Sequence, residues 1–147
     1  MAIPNLIGKP VIISALDQML ENAIDHTKYI ENRSDFDIIV PIYKSADKTL
    51  CYILKDDDEN IIQLFEKKPV SNDAVLGVYI IKDFSDFLEH CYHLLIRYKG
   101  FKNRVFYNSD VINSYIGEEK NCYFPEYIGG YFKVRRSEEH TSELQSP

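Results

Sequence analysis

Short apolar runs separated by polar turns dominate the chain. Five of these runs are rich in β-branched and aromatic residues and therefore predict strands over residues 9–14, 37–43, 49–55, 61–65 and 74–81. Pro41, inside the second run, argues for an edge position or a bulge in that strand. The acidic sequence DDDEN after the third run predicts a solvated turn.

One longer segment has the periodicity of an amphipathic helix. Its apolar residues recur with a period of about 3.6 residues: Phe84, Phe87, Leu88, Cys91, Leu95 and Tyr98. Asp83 is suited to cap the start of this helix and Gly100 to end it. Shorter helices are predicted over residues 20–33 and 109–116, and a strand pair is predicted over residues 122–134.

Strands interleaved with helices predict an α/β fold with a mixed sheet and flanking helices. At 147 residues with 45% hydrophobic content, the chain is long enough to bury one core, and its length favours one domain. We expect the five strands to share one sheet, with the helix over residues 83–98 packed on its face.

Composition limits the partners and the compartment. The formal net charge is −6 and the pI is about 5.2, so the chain lacks the basic field that holds nucleic acid or an anionic membrane. Its sequence has no secretory signal pattern and no apolar run long enough to span a bilayer. The cysteines at positions 51, 91 and 122 have no CxxC spacing, which favours reduced thiols. We therefore predict a cytoplasmic protein with no nucleic-acid or membrane partner.

The last twelve residues differ abruptly in composition from the rest. The sequence RSEEHTSELQSP, residues 136–147, has no apolar periodicity and resembles a short-read library adapter translated in frame. We therefore expect residues 1–135 to be a fragment of a natural domain and residues 136–147 to be an unstructured addition.

Two places in the sequence carry candidate chemistry. Asp17 follows the first predicted strand in VIISALDQ, and ligands of open α/β sheets bind beyond the carboxyl ends of strands. A carboxylate there suits Mg²⁺, which takes oxygen ligands and bridges carboxylates to substrate phosphates. The second place is the turn EKKPVSND, where Glu66 precedes two lysines and pairs an acceptor for a hydroxyl with a cation for a phosphate.

The order of three segments carries a family resemblance. The strand followed by DQ, the segment YILKDDDENIIQLFEKKPVSNDAVLGVYIIKD and the later FYNSDVIN together resemble the sugar-1-phosphate nucleotidyltransferases, the nucleotide-sugar pyrophosphorylases of bacterial polysaccharide synthesis. The resemblance spans residues 10–113. It implies a Rossmann-like nucleotide-diphospho-sugar transferase fold. It also implies transfer of a nucleotidyl group from a nucleoside triphosphate to a sugar 1-phosphate, with release of pyrophosphate.

The resemblance further implies roles for individual residues. Asp17 would bind Mg²⁺ and act in catalysis together with Lys67, which would hold the sugar phosphate. Glu66 would accept hydrogen bonds from sugar hydroxyls. The rest of the sugar site would be formed by Cys51, Val75 and Tyr79. Lys68 is an addition to the usual EKP sequence, and adjacency to Glu66 favours Lys67 as the lysine that faces the site.

The family's glycine-rich GxGxR loop is absent from the sixteen residues before Asp17. The chain is therefore expected to be the sugar-binding portion of the enzyme and to be inactive alone. A metal-dependent glycosyltransferase of similar architecture and a non-catalytic sugar-phosphate-binding module stay open as alternatives. The sequence specifies neither the sugar nor the nucleotide, and it leaves open whether the full-length protein forms a homo-oligomer.

His90 and His93 lie on either side of Cys91, a spacing that invites a metal site. Cys91 lies on the apolar stripe, however, and the histidines flank it, which argues against a metal site.

Overall fold

The structure is a computed structural model that describes residue 5 and residues 8–15, 18–20, 24–98, 105–129 and 131–133. Within these ranges the chain forms ten strands and three helices, which confirms the predicted α/β class. The strands are β1 (Val11–Ser14), β2 (Gln18–Leu20), β3 (Ile38–Ile39), β4 (Ile42–Lys44), β5 (Cys51–Lys55), β6 (Ile61–Glu66), β7 (Asp73–Val75), β8 (Val78–Ile81), β9 (Cys122–Tyr123) and β10 (Tyr131–Lys133). The helices are α1 (His26–Asn32), α2 (Phe84–Arg97) and α3 (Asn108–Gly117).

The prediction that five strands share one sheet is wrong. Strands β1, β8, β3 and β9 form one four-stranded sheet in that order, and β4, β7, β5 and β6 form a second. The first sheet is mixed, because β3 runs antiparallel to β8 and parallel to β9. The second sheet is antiparallel throughout. Strands β2 and β10 make a separate antiparallel pair.

Two predicted strands are divided because each crosses from one sheet to the other. The run over residues 37–43 breaks between β3 and β4 at Pro41, which has no N–H to donate to a ladder. The run over residues 74–81 breaks between β7 and β8 at Gly77, where φ is +89°. The two breaks lie side by side, since the N–H of Leu76 donates to the carbonyl of Pro41 at 2.9 Å. The carbonyl of Gly77 accepts from the N–H of Ala15 at 2.9 Å.

The helix predicted over residues 83–98 is α2, and its start is capped as expected. The carboxylate of Asp83 accepts hydrogen bonds from the backbone N–H groups of Ser85 and Asp86. Gly100, the predicted end, lies outside the described residues. The helix predicted over residues 20–33 is shorter, because Leu20 belongs to strand β2 and the Asp25 side chain caps a helix that begins at His26.

The buried face of α2 is rotated relative to the predicted stripe. Four residues of the stripe contribute to the core as predicted: Phe87 is buried, and Phe84, Cys91 and Tyr98 pack against the core. Leu88 and Leu95, however, are 38% and 53% exposed, whereas His90 and Leu94 are only 6% and 7% exposed. The imidazole of His90 can be buried because its Nδ1 lies 2.8 Å from the carbonyl oxygen of Asp86 and its Nε2 lies 2.6 Å from Oε2 of Glu118. Glu118 follows α3, so the residue that allows the His90 side of α2 to face the core is distant in sequence.

The predicted strand pair over residues 122–134 is also wrong in its pairing. Both strands exist, but β9 adds to the edge of β3 and β10 pairs with β2. Each of these two strands therefore pairs with a strand from elsewhere in the chain and not with the other.

No helix within the described ranges is long and apolar enough to cross a membrane.

Helices α2 and α3 lie over both sheets and close the main core. This core contains buried residues from both sheets and both helices: Ile38, Val40, Ile42, Ile53, Leu64, Val75, Ile81, Phe87, Leu94, Val111, Ile112 and Tyr115. Helix α1 covers a separate cluster, in which Tyr29 and Ile30 pack against the buried side chains of Phe36, Ile39 and Ile80. The second sheet thus leaves its strand β6 at an edge, where α3 meets it.

Candidate functional site

The β5–β6 hairpin brings two of the predicted site residues together. Cys51 begins β5 and Glu66 ends β6, and the two residues are direct partners in the antiparallel register. The Cys51 thiol therefore lies beside the Glu66 carboxylate. Burial, followed by the negative charge of Glu66, raises the pKa of the Cys51 thiol to about 12. Cys51 is therefore a neutral donor at this site and not a thiolate nucleophile.

The first turn of α3 supplies a further partner for Glu66. The hydroxyl of Ser109, the second residue of the helix, donates a hydrogen bond of 2.8 Å to Oε1 of Glu66. Ser109 is only 3% exposed. A carboxylate beside the first turn of a helix is also favoured by the helix dipole. The position of the Glu66 side chain is consequently fixed from two sides, by Cys51 and by Ser109.

Tyr79 reaches the same cluster from the first sheet. Its hydroxyl lies near the side chain of Asn108, the first residue of α3. Burial raises the pKa of Tyr79 well above its usual range, and nearby Cys51 and Glu66 raise it further. Val75 is buried in the main core, against which Cys51 and Tyr79 also pack. It therefore supports the cluster from the core.

The two lysines follow the end of β6. Lys67 has a φ of +56°, in the left-handed region that non-glycine residues rarely adopt. Its backbone N–H still donates to the carbonyl of Leu50, at 2.9 Å. Its ammonium lies 5.9 Å from the ring centroid of Tyr107, the residue before α3. Both lysines are exposed, but only Lys67 is seen to contact the end of α3 that also contacts Glu66, through the ring of Tyr107.

Asp17 lies outside the described residues, so its convergence with Glu66 and Lys67 stays a prediction. The tail over residues 136–147 lies outside them as well. Among the residues that the structure does describe, no group of three or more His, Cys, Asp or Glu side chains could hold a metal. His90 faces the core, and its two ring nitrogens meet Asp86 and Glu118. The prediction that His90 flanks the apolar stripe is therefore wrong, since His90 is buried, whereas Cys91 is half-buried and packs against the core.

Sequence reasoning assigned no role to Asn108 and Ser109. Both residues belong to the segment FYNSDVIN that contributes to the family resemblance, and that segment was the signal that could have drawn attention to them. Their partners, Tyr79 and Glu66, lie far away along the chain. Only the packing of α3 against β6 shows that these polar side chains complete the cluster.

Comparison with known proteins identifies structural relatives. No protein-family profile matches the chain, and no curated protein matches it in sequence. The structure is similar to a nucleoside-diphosphate-sugar pyrophosphorylase from Vibrio cholerae, with a TM-score of 0.65 and 16% identity over 80% of this chain and 48% of that protein. It is also similar to a protein from Bacillus anthracis assigned as a glucose-1-phosphate thymidylyltransferase, with a TM-score of 0.68 and 17% identity over 88% of this chain and 51% of that protein.

The chain spans about half the length of these two structures. At such low identity the likeness establishes the fold alone. The fold agrees with the one that the sequence resemblance implies. The described part of this chain therefore has the fold of the nucleotide-sugar pyrophosphorylase structures.

Proposed function

We propose that this chain is the sugar-1-phosphate-binding part of a nucleotidyltransferase that makes nucleotide sugars for polysaccharide synthesis. The observation that carries the proposal is the cluster at the start of α3. A carboxylate held at a fixed position by Ser109 and a lysine beside Tyr107 lie on consecutive residues of one turn. That pairing matches the two chemical ends of a sugar 1-phosphate.

Each end of the ligand has a group suited to it. The carboxylate of Glu66 accepts hydrogen bonds from sugar hydroxyls, and it has acceptor sites beyond the one that Ser109 uses. The ammonium of Lys67 neutralises the sugar phosphate. In the proposed reaction, a phosphate oxygen of the sugar attacks the α-phosphorus of the nucleoside triphosphate. The bond between that phosphorus and the bridging oxygen of the β-phosphate breaks, and pyrophosphate leaves.

The proposal assigns Mg²⁺ binding to Asp17. When bound, the ion would neutralise phosphate charge, which is the chemistry that Mg²⁺ supplies in phosphoryl-type transfer. In a full-length protein, Asp17→Ala should abolish magnesium-dependent turnover. Retained turnover in that variant would exclude Asp17 as the magnesium ligand.

We also propose a cytoplasmic location, in line with the free cysteines at positions 51, 91 and 122.

Binding of glucose 1-phosphate to this chain, measured by calorimetry, tests the core of the proposal. Lys67→Ala should weaken binding by about 10- to 100-fold, because it removes a charge-assisted hydrogen bond worth roughly 1.5–3 kcal/mol. Lys68→Ala is the matched control, since it removes the neighbouring exposed lysine, and it should change the affinity by less than about threefold. Equal losses in the two variants, or no binding of glucose, galactose or mannose 1-phosphate by the unmodified chain, would contradict the proposal.

A further inference from the structure

Strand β6 is the edge of its sheet, and side chains of α3 occupy its open side. The amide of Asn113 bonds the backbone of Leu64 twice: its Oδ1 accepts from the Leu64 N–H at 2.7 Å, and its Nδ2 donates to the Leu64 carbonyl at 3.0 Å. One helical turn earlier, Ser109 donates to the side chain of Glu66 at 2.8 Å. The Asn113 amide therefore pairs with the strand edge in the way that a peptide group of another strand would.

The spacing of the two anchors matches between helix and strand. Ser109 and Asn113 are four residues apart on α3, which at 1.5 Å per residue separates them by about 6 Å along the helix. Glu66 and Leu64 are two residues apart on β6, which at about 3.3 Å per residue separates them by nearly the same distance. A slip of the helix by one residue would break both contacts. The two hydrogen-bonded anchors therefore define one register of α3 on β6.

The anchors differ in what they hold. Asn113 holds only backbone atoms, whereas Ser109 holds the carboxylate that the proposed function assigns to sugar hydroxyls. Ser109 is almost completely buried, and its single hydroxyl proton goes to Oε1 of Glu66. The Cys51 thiol meets the same carboxylate from β5. Rotation of the Glu66 side chain away from this position would leave the Ser109 hydroxyl without that acceptor.

We propose that Ser109 is a positioning residue that holds the Glu66 carboxylate in the orientation that receives the sugar. The inference rests on the proposed function and adds a specificity determinant to it. Ser109 acts through Glu66 and not through the phosphate, so its loss should affect recognition of the sugar but not recognition of the phosphate. A purely structural role, like that of Asn113, would affect stability without this selectivity.

The test compares two probes on the same chain, glucose 1-phosphate and inorganic phosphate, by calorimetry. Ser109→Ala should weaken binding of glucose 1-phosphate about fivefold, the equivalent of one hydrogen bond of about 1 kcal/mol, and leave phosphate binding unchanged. Ser109→Thr keeps the hydroxyl and should restore most of the affinity. Ser114→Ala, a serine on the same helix, is the matched control and should bind like the unmodified chain.

A second measurement separates failure of this inference from failure of the proposed function. A double-mutant cycle with Ser109→Ala and Glu66→Gln, read by urea unfolding without ligand, reports whether the two side chains are coupled. Additive losses of stability would overturn the inference whatever the chain binds. Sugar-phosphate binding that Ser109→Ala leaves intact would overturn the inference alone. No binding of any hexose 1-phosphate by the unmodified chain would overturn the proposed function, and the role of Ser109 in sugar recognition with it.

Discussion

The strongest prediction concerns Asn113, because one side chain satisfies both outward backbone groups of a buried strand residue. Asn113→Ala removes two hydrogen bonds of 2.7 and 3.0 Å to Leu64, a residue that is only 2% exposed. Two such bonds contribute about 1–3 kcal/mol in total. Because the Leu64 N–H and C=O then lack partners beside α3, the decrease in the free energy of unfolding rises to about 2–4 kcal/mol.

A small gain offsets part of this loss. Alanine is the better helix former, by roughly 0.5 kcal/mol, so the expected net decrease in the free energy of unfolding is about 1.5–3.5 kcal/mol. Urea unfolding followed by circular dichroism measures it. Asn32→Ala is the control, because Asn32 is an exposed asparagine of α1 and its replacement changes helix propensity alone.

A third variant isolates the donor. Asn113→Asp keeps the shape and the acceptor for the Leu64 N–H, but at neutral pH it turns a carboxylate oxygen towards the Leu64 carbonyl in place of the amide donor. It should therefore destabilise the chain at least as much as alanine does. If Asn113→Ala and Asn32→Ala lower the free energy of unfolding equally, within about 0.5 kcal/mol, the pairing of α3 with the edge of β6 is refuted.

Three further predictions concern stability. Leu94→Ala should lower the free energy of unfolding in urea by about 2–5 kcal/mol, and Leu95→Ala should lower it by less than about 1 kcal/mol, because the two leucines are 7% and 53% exposed. Equal decreases would contradict the observed buried face of α2. Glu118→Ala should cost about 1–2 kcal/mol, because it removes the partner of buried Nε2 of His90, and an unchanged free energy of unfolding would contradict that contact. Above about pH 9 the unfolded chain releases the Cys51 proton, whereas the folded chain keeps it up to a pKa of about 12. The free energy of unfolding should therefore fall as the pH rises. A Cys51→Ser variant with the same pH dependence would argue against this cause.

Local patterns were sufficient where a contact partner is near in sequence. The predicted turn at DDDEN is present, with Asp56 Oδ1 accepting from the N–H groups of Asp58 and Asn60 at 2.9 Å each. That turn joins β5 to β6, and a register shift between Leu54 and Lys55 then places Cys51 opposite Glu66. Alternation and turn chemistry thus predict the two strands and the turn of this hairpin, but not the register shift that brings two residues of the candidate site face to face.

Local patterns failed where a distant partner decides. Ser109 and Asn113 read as ordinary polar residues of a short helix, and their partners are 43 and 49 residues away. His90 looked like a flanking polar residue, yet Glu118 and the Tyr115 ring, 4.5 Å from its own, allow it to be buried. Burial of a polar side chain depends on whether it finds hydrogen-bond partners, and a single sequence does not contain that information.

The EKK turn shows why the end of β6 is suited to a two-part ligand. Along an extended strand, Glu66 and Lys67 would point to opposite faces and could not serve one ligand. The strand ends at Glu66, and the φ of +56° at Lys67 turns the chain out of the extended conformation. Glu66 then contacts Ser109 and Lys67 contacts Tyr107, two residues apart at the same end of α3. The positive φ at Lys67 thus brings an acceptor and a cation to one end of α3, which is the arrangement that the proposed sugar-phosphate ligand would require.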